Sequence, residues 1–313
     1  DELGKTMDNI LKICAWLLEN HADRNAMLLG IGGGITTDMT GFTASIYKRG
    51  IRFAYLPTTF LAQVDAAIGG KTGVNFENYK NILGVIRQPE FTYVCPEVLG
   101  TLTYRDFLSG AAELVKTFII DDSGDNYEKA VTILSEIHDA TDHTSAISSH
   151  HAELEELIAA AAKVKAGVVE RDEFEMGERR KLNLGHTFAH AIEWEAHNRE
   201  QSMGEVNAGV HGISHGESVA MGMIMAAEAS ECYYADDKSQ HVAVQGIAKK
   251  LTEDFRRCGL PVECPYPIIT LAEAMKKDKK SENGIVHFIL IRAIGDVRIE
   301  DLPVDDVVSW ISK

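Results

Sequence analysis

Asn25-Ala-Met-Leu-Leu-Gly-Ile31, running straight into Gly32-Gly33-Gly34, is a short apolar run that ends in a glycine turn. A few apolar residues closed by turn residues read as a buried strand, and the residues beyond the glycines read as a helix. Before this unit, Ile10, Leu11, Ile13, Cys14, Trp16, Leu17 and Leu18 crowd one side of a helix over residues 6–20. After it, Arg52-Phe-Ala-Tyr-Leu56 is a second strand stopped by Pro57, and Phe91-Thr-Tyr-Val-Cys95 a third apolar run stopped by Pro96. Strands alternating with helices predict a parallel α/β domain over residues 1–100.

From Thr101 the texture changes. Residues 103–120, 126–138, 151–171, 184–197, 216–234 and 267–277 all read as helices. Ile285-Val-His-Phe-Ile-Leu-Ile291 and Asp296-Val-Arg-Ile-Glu300 read as two strands turning at Gly295, and the polar stretch 197–214 reads as a loop. Residues 101–313 are therefore expected to form a mainly helical second domain.

The formal net charge of −16 argues against a nucleic-acid partner, because phosphate backbones are bound through excess Lys and Arg. It leaves room for a small anionic substrate, since a few converging cations can dominate one pocket. Five scattered cysteines without a CxxC pair point to reduced thiols, and the sequence shows neither a signal peptide nor a run of eighteen apolar residues. The expectation is a cytoplasmic protein without a membrane partner. The chain opens on Asp1 and enters a helical pattern at once, as though its beginning were missing.

The glycine turn suits phosphate approach, because a helix start offers its free N–H groups to an anion; a plain structural turn is the alternative. Asp38, one turn into the helix, has a solvated acid as its alternative. Gly69-Gly70-Lys71-Thr72-Gly73 suggests a P-loop lysine, but that spacing needs a glycine where Asp65 stands. A flexible glycine frame around one lysine still suits an oxyanion, and Lys80-Asn81 adds a cation and an amide nearby. Glu113 and Lys116 share a helix face in an apolar setting, with a surface ion pair as the alternative. His186 and His190 lie at i and i+4, a metal-compatible spacing, although Thr187 stands where a zincin would have glutamate. His215-Gly216-Glu217 opens another helix. Glu113, His186 and His215 then make a three-ligand set of one carboxylate and two imidazoles, the donor number typical of catalytic zinc. Lys165 and Arg179 are two further cations, each with a solvated helix charge as its alternative.

Taken together, Gly32-Gly-Gly-Ile-x-x-Asp38, Tyr47-Lys-Arg49-Gly, Pro57-Thr-Thr, Gln63-Val-Asp65, Gly69-Gly-Lys-Thr-Gly73, Lys80-Asn81, Glu113-x-x-Lys116, Lys165-Ala, Asn183-Leu-Gly-His-Thr and His215-Gly-Glu217 resemble the 3-dehydroquinate synthases, in the same order, from about Glu2 to Arg298. The resemblance implies an NAD-binding α/β domain, a helical domain, an active site in the cleft between them, and zinc (or cobalt) on Glu113, His186 and His215. It implies that Lys71, Asn81, Lys116, Lys165, Arg179, Asn183 and His190 grip the substrate's phosphate and carboxylate. Glu2, Lys5, Gly33, Gly34, Asp38, Thr58, Thr59, Asp65, Lys80 and Thr101 fall at NAD-side positions. Arg49 would reach across a homodimer interface. Relatives that cyclise other sugar phosphates often alter the positions of Arg179, Asn183 and His190; this chain keeps all three, which favours an acid substrate.

The implied reaction is transient oxidation of a seven-carbon sugar acid phosphate, loss of phosphate, re-reduction and aldol closure of a carbocycle. The rival readings are a metal-dependent polyol or alcohol dehydrogenase of the same architecture, another sugar phosphate cyclase, or a non-catalytic NAD-binding derivative. Three departures stand out. Thr37 occupies a place usually held by glycine. The segment between His186 and His215 is long and contains a second His-Gly at His211, with Glu217 favouring His215. An opening strand-helix-strand portion that the family carries is absent before Glu2.

Overall fold

The computed structural model describes residues 2–77, 79–202, 212–236, 244–277, 281–282 and 284–312. The chain divides into two compact units: residues 1–110 with 147–174, and residues 111–146 with 175–313. The first unit therefore runs beyond the change of texture near Thr101 and takes in the helix that starts at His151.

In the first unit, helix α1 (Met7–Glu19) is capped by the Thr6 hydroxyl, which accepts the Asn9 N–H. Strand β1 (Met27–Gly32), helix α2 (Gly34–Ile46) and strand β2 (Arg52–Pro57) form a βαβ unit, the strands pairing in parallel from Met27 opposite Arg52 to Gly32 opposite Pro57. A parallel pair needs a crossover, and α2 supplies it. Two small positions let α2 lie close: a Cβ on Gly30 would meet the Thr40 hydroxyl at 2.6 Å, and one on Gly41 the Tyr55 hydroxyl at 2.3 Å. Leu17, Ala44, Tyr47, Ile51, Phe53, Tyr55 and Ala67 form the core beneath.

The run Phe91–Cys95 does not continue this sheet as a full strand. It makes one parallel bridge, Thr92 to Tyr55, and Phe91 and Tyr93 stay exposed, so their apolar character is not spent on burial. The glycine-lysine run is the opposite case. It forms strand β3 (Lys71–Phe76), which pairs antiparallel with β4 (Tyr79–Ile86). Gly73 and Gly84 face each other where a Cβ would strike the opposite backbone at 2.6 and 2.2 Å. Those glycines serve backbone approach within a hairpin, so the frame is ordered ladder, not a flexible loop. Helix α3 (Tyr104–Ile120) starts in this unit, where Gly110 lies against Phe60 and Leu61; a Cβ there would come within 2.4 Å.

The second unit contains α4 (Asn126–Asp139), whereas α5 (His143–Ser149) leads out of it and α6 (His151–Arg171) lies within the first unit. Helices α7 (His186–Ser202) and α8 (His215–Tyr233) lie in the second. α7 runs on through residues 197–202, where polarity suggested a loop. His211 lies outside the described residues. α8 is buried almost all round, from Gly216 to Ser230, as expected of a helix with apolar residues on every side. Around it pack α7, a helix at Ile247–Arg257, a terminal helix at Val304–Ile311 and the antiparallel ladder of Ile285–Ala293 with Asp296–Pro303. Among the described residues, no helix is long and apolar enough to cross a membrane.

Candidate active site

Three helices of the second unit bring Glu113, His186 and His215 together, with one ligand atom from each lying within 4.8 Å of the others. Glu113 comes from the middle of α3, His186 is the first residue of α7, and His215 the first of α8. The local reasons are specific. Gly185 carries φ +76°, which a side chain rarely adopts, and its carbonyl sits where a Cβ on Gly222 would come within 2.3 Å. The start of α7 can lie this close to the second turn and middle of α8 only because both of these residues are glycine. The α8 start is fixed by a capping box: the Ser214 hydroxyl accepts the Glu217 N–H, and the Glu217 carboxylate accepts the Ser214 N–H. Glu217 thus orders the helix start that presents His215.

The electrostatics of this group suit a metal. Glu113 is wholly buried, and neither carboxylate oxygen has a hydrogen-bond partner in good geometry, although His215 Nε2 lies 3.3 Å and His186 Nε2 3.8 Å from Oε1. Each imidazole has its rear nitrogen engaged elsewhere. His186 Nδ1 faces the Leu184 carbonyl at 3.1 Å, and His215 Nδ1 faces Glu193 Oε1 at 2.8 Å. With Nδ1 protonated in both, the Nε2 lone pairs turn toward Glu113. A buried carboxylate, its Oε2 against the Lys116 ammonium and its Oε1 facing two imidazole nitrogens, offers a donor set that fits a divalent cation. Burial works to raise the Glu113 pKa, but the Lys116 ammonium and His215 outweigh it and hold the carboxyl at about 2. Burial lowers the His215 pKa, while Glu113 and Glu193 outweigh it and push it up to about 10.

Of the other second-unit residues singled out by sequence, Lys116 and His190 touch this group. Lys116 is buried and ion-paired with Glu113. His190 stands edge-on to His186, with ring centroids 5.5 Å apart. The Asn183 amide donates to Glu175 at 2.6 Å, and Arg179 is 2% exposed, the largest fully buried side chain of the chain's described residues. Reasoning on residue types missed Glu193. Its signal was nonetheless present, because His186, His190 and Glu193 fall at i, i+4 and i+7 on one helix face.

In the first unit the marked residues pair mainly with one another. Lys5, 4% exposed, donates at 2.5 Å to both Asp38 Oδ2 and Asn81 Oδ1, which draws three of them together. Burial raises the Asp38 pKa and the Lys5 charge pulls it back. Lys165 donates to Asp65 Oδ1 at 2.7 Å and to its main-chain carbonyl at 2.6 Å. The Asn75 amide donates to Glu2. Gly33 is the N-cap of α2 and Gly34 its first residue, with no side chain capping the turn, so first-turn N–H groups remain available to an anion. Thr37 fits where glycine was expected: it is buried and its hydroxyl donates to the Gly34 carbonyl. The Thr58 N–H donates to the Gly32 carbonyl, and Thr59 Oγ1 accepts the Ala62 N–H. Lys71 and Lys80 are exposed on the hairpin, and Thr101 is exposed and donates to the Val98 carbonyl. Arg49 is exposed in a turn with φ +68°.

The fold, a βαβ unit in one part of the chain and a mainly helical unit in the other, recurs in solved structures of enzymes. Two solved structures share the fold. One is a 2-epi-5-epi-valiolone synthase from Streptomyces hygroscopicus subsp. jinggangensis with NAD+ and Zn2+ bound, at TM-score 0.78 and 24% identity over 99% of this chain and 79% of that one. The other is a 2-deoxy-scyllo-inosose synthase complexed with carbaglucose-6-phosphate, NAD+ and Co2+, at TM-score 0.77 and 23% identity over 100% and 80%.

Residues 1–109 match the family model for the N-terminal part of 3-dehydroquinate synthase and residues 110–281 that for its C-terminal part. The 3-dehydroquinate synthase of Pyrococcus abyssi is 38% identical over 299 residues, 96% of this chain and 79% of that protein. That of Streptococcus thermophilus is 33% identical over 313 residues, 100% and 80%. The chain belongs to the 3-dehydroquinate synthase family, and it is an enzyme of that type.

Proposed function

We propose that the chain converts 3-deoxy-D-arabino-heptulosonate 7-phosphate to 3-dehydroquinate and phosphate, using NAD and zinc, with cobalt able to replace zinc. The observation that carries this reading is the convergence of Glu113, His186 and His215 in a chain of this family. When bound, the metal supplies a Lewis acid and NAD a hydride acceptor and donor. Glu113 and the two Nε2 atoms hold the metal, their orientation set by the contacts behind them. Arg179 takes the substrate carboxylate, whose two oxygens a guanidinium matches in a two-pronged hydrogen bond. Lys116, Asn183 and His190 complete the grip, and the motifs that hold Lys71, Asn81 and Lys165 give those residues the same task. The proton lost next to the departing phosphate goes to that phosphate itself. The chain's task at that step is to hold the phosphate in place.

On the cofactor side, the uncapped turn at Gly33 and Gly34 receives the pyrophosphate. Glu2, Lys5, Asp38, Thr58, Thr59, Asp65, Lys80 and Thr101 form the remainder of that site. Five free cysteines support a reducing, cytoplasmic setting. The deciding assay follows phosphate release from the seven-carbon acid phosphate. Release without net NADH accumulation is expected, whereas stoichiometric NADH would make the chain a dehydrogenase.

The protein acts as a homodimer in which Arg49 serves the neighbouring subunit's site. Mixed Arg49→Ala and His186→Ala chains should recover activity that neither has alone. Proven subunit exchange without recovery would confine Arg49 to its own chain.

A further inference from the structure

We infer that Glu193 is a positioning residue for the metal centre, fixing the tautomer and the angle of His215; this rests on the metal reading above. On α7 the side chains of His186, His190 and Glu193 point to one face, so a single helix supplies one metal ligand and the support for another. Glu193 is 11% exposed at its side chain, and its Oε1 lies 2.8 Å from His215 Nδ1. An imidazole can donate from one nitrogen only if the proton is there, so in the neutral ring that a cation requires this bond leaves Nε2 as the lone-pair nitrogen. Nε2 is the atom that lies 3.3 Å from Glu113.

The two histidines are held differently. His186 rests on a main-chain carbonyl, Leu184 O, which no substitution removes. His215 is 36% exposed at its side chain and depends on a side-chain carboxylate, so its ring would otherwise be free to turn toward water. Charge argues the same way. A divalent cation on Glu113 keeps one net positive charge, and the Glu193 carboxylate behind His215 offsets it while making that imidazole a stronger donor. The competing account is a plain tie between α7 and α8, which would alter stability and leave metal affinity alone.

The test measures Zn2+ affinity of the full chain by competition with a chromophoric chelator, together with the thermal midpoint of the metal-free protein. Glu193→Ala should weaken Zn2+ binding about 10- to 100-fold. Glu193→Gln keeps an oxygen acceptor in place and should lose no more than roughly fivefold, whereas Glu193→Asp, one methylene short, should resemble the alanine variant. An alanine variant with a lowered midpoint but Zn2+ affinity within twofold of the parent overturns the inference. If the alanine chain fails to fold, equal affinity of the Asp and Gln variants overturns it instead. A parent chain that binds no Zn2+ sinks the metal reading itself before any variant is compared.

Discussion

The charged groups of the first unit and those of the second are prepared in different ways. In the first, Lys5 is shared between Asp38 and Asn81, and Lys165 is closed onto Asp65. These are long side chains meeting partners that are themselves partly exposed, with Asp38 at 19% and Asp65 at 25%. A ligand with its own charges can compete for such cations at modest cost, because the carboxylate left behind is still reached by water. In the second, Glu113 is wholly buried, and its neighbours begin two helices, one held against the body of the other by a glycine pair and the other fixed by a capping box. One half is arranged to exchange partners and the other to hold a geometry.

The largest expected effect lies in the rigid half. Glu113→Ala, or chelation of the parent, should lower turnover on the order of a thousandfold, because several kcal/mol of transition-state stabilisation depend on the held metal. Adding Zn2+ should restore the chelated parent and leave the variant inactive. Turnover that persists in both would mean that the rigid half is not the reacting half.

Lys116→Met sharpens the contrast. Lys116 is 1% exposed and faces a wholly buried carboxylate, so its loss strands Glu113 and should cost the metal-free protein about 3–5 kcal/mol. A bound cation would take over the neutralising role, so denaturant unfolding with saturating Zn2+ should show a much smaller difference. Equal losses in the two conditions would separate Lys116 from the metal group. Gly222→Ala attacks the scaffold alone, since the new methyl meets the Gly185 carbonyl. A loss of about 1–3 kcal/mol with weakened Zn2+ binding is expected. Unchanged affinity would show that α7 and α8 can part without disturbing His186 and His215.

The smallest effect belongs to the first unit. Lys165→Met leaves Asp65 open to water, and about 1 kcal/mol of stability should go, while phosphate release falls far more steeply. A stability loss as large as that of Lys116→Met would erase the difference between the halves.

Much of the scaffold was readable in advance because its signals are local. The apolar runs at Met27–Gly32 and Arg52–Pro57, the glycine turn and the long helices α3, α6 and α8 each declare themselves within one window of sequence. The hairpin of β3 and β4 did not, because Gly73 and Gly84 interrupt the alternation that marks a strand; they are explained only by facing each other. The short helices at His143–Ser149 and Val304–Ile311 also carry too few turns for a clear period. Phe91–Cys95 erred the other way, apolar yet largely unpaired.

By itself, then, the sequence determined which residue types could hold a divalent cation, and it placed His186 and His190 on one face through the helical repeat. It could not determine that Glu113, from a helix far earlier in the chain, meets His186 and His215 with its carboxylate wholly buried. Nor could it tell a lysine awaiting a ligand from one already closed onto Asp65, a partner 100 residues away. Spacing along a helix is a property of the local backbone. Burial and partner choice follow from how distant segments exclude water around a charge, and only the packed tertiary structure decides that.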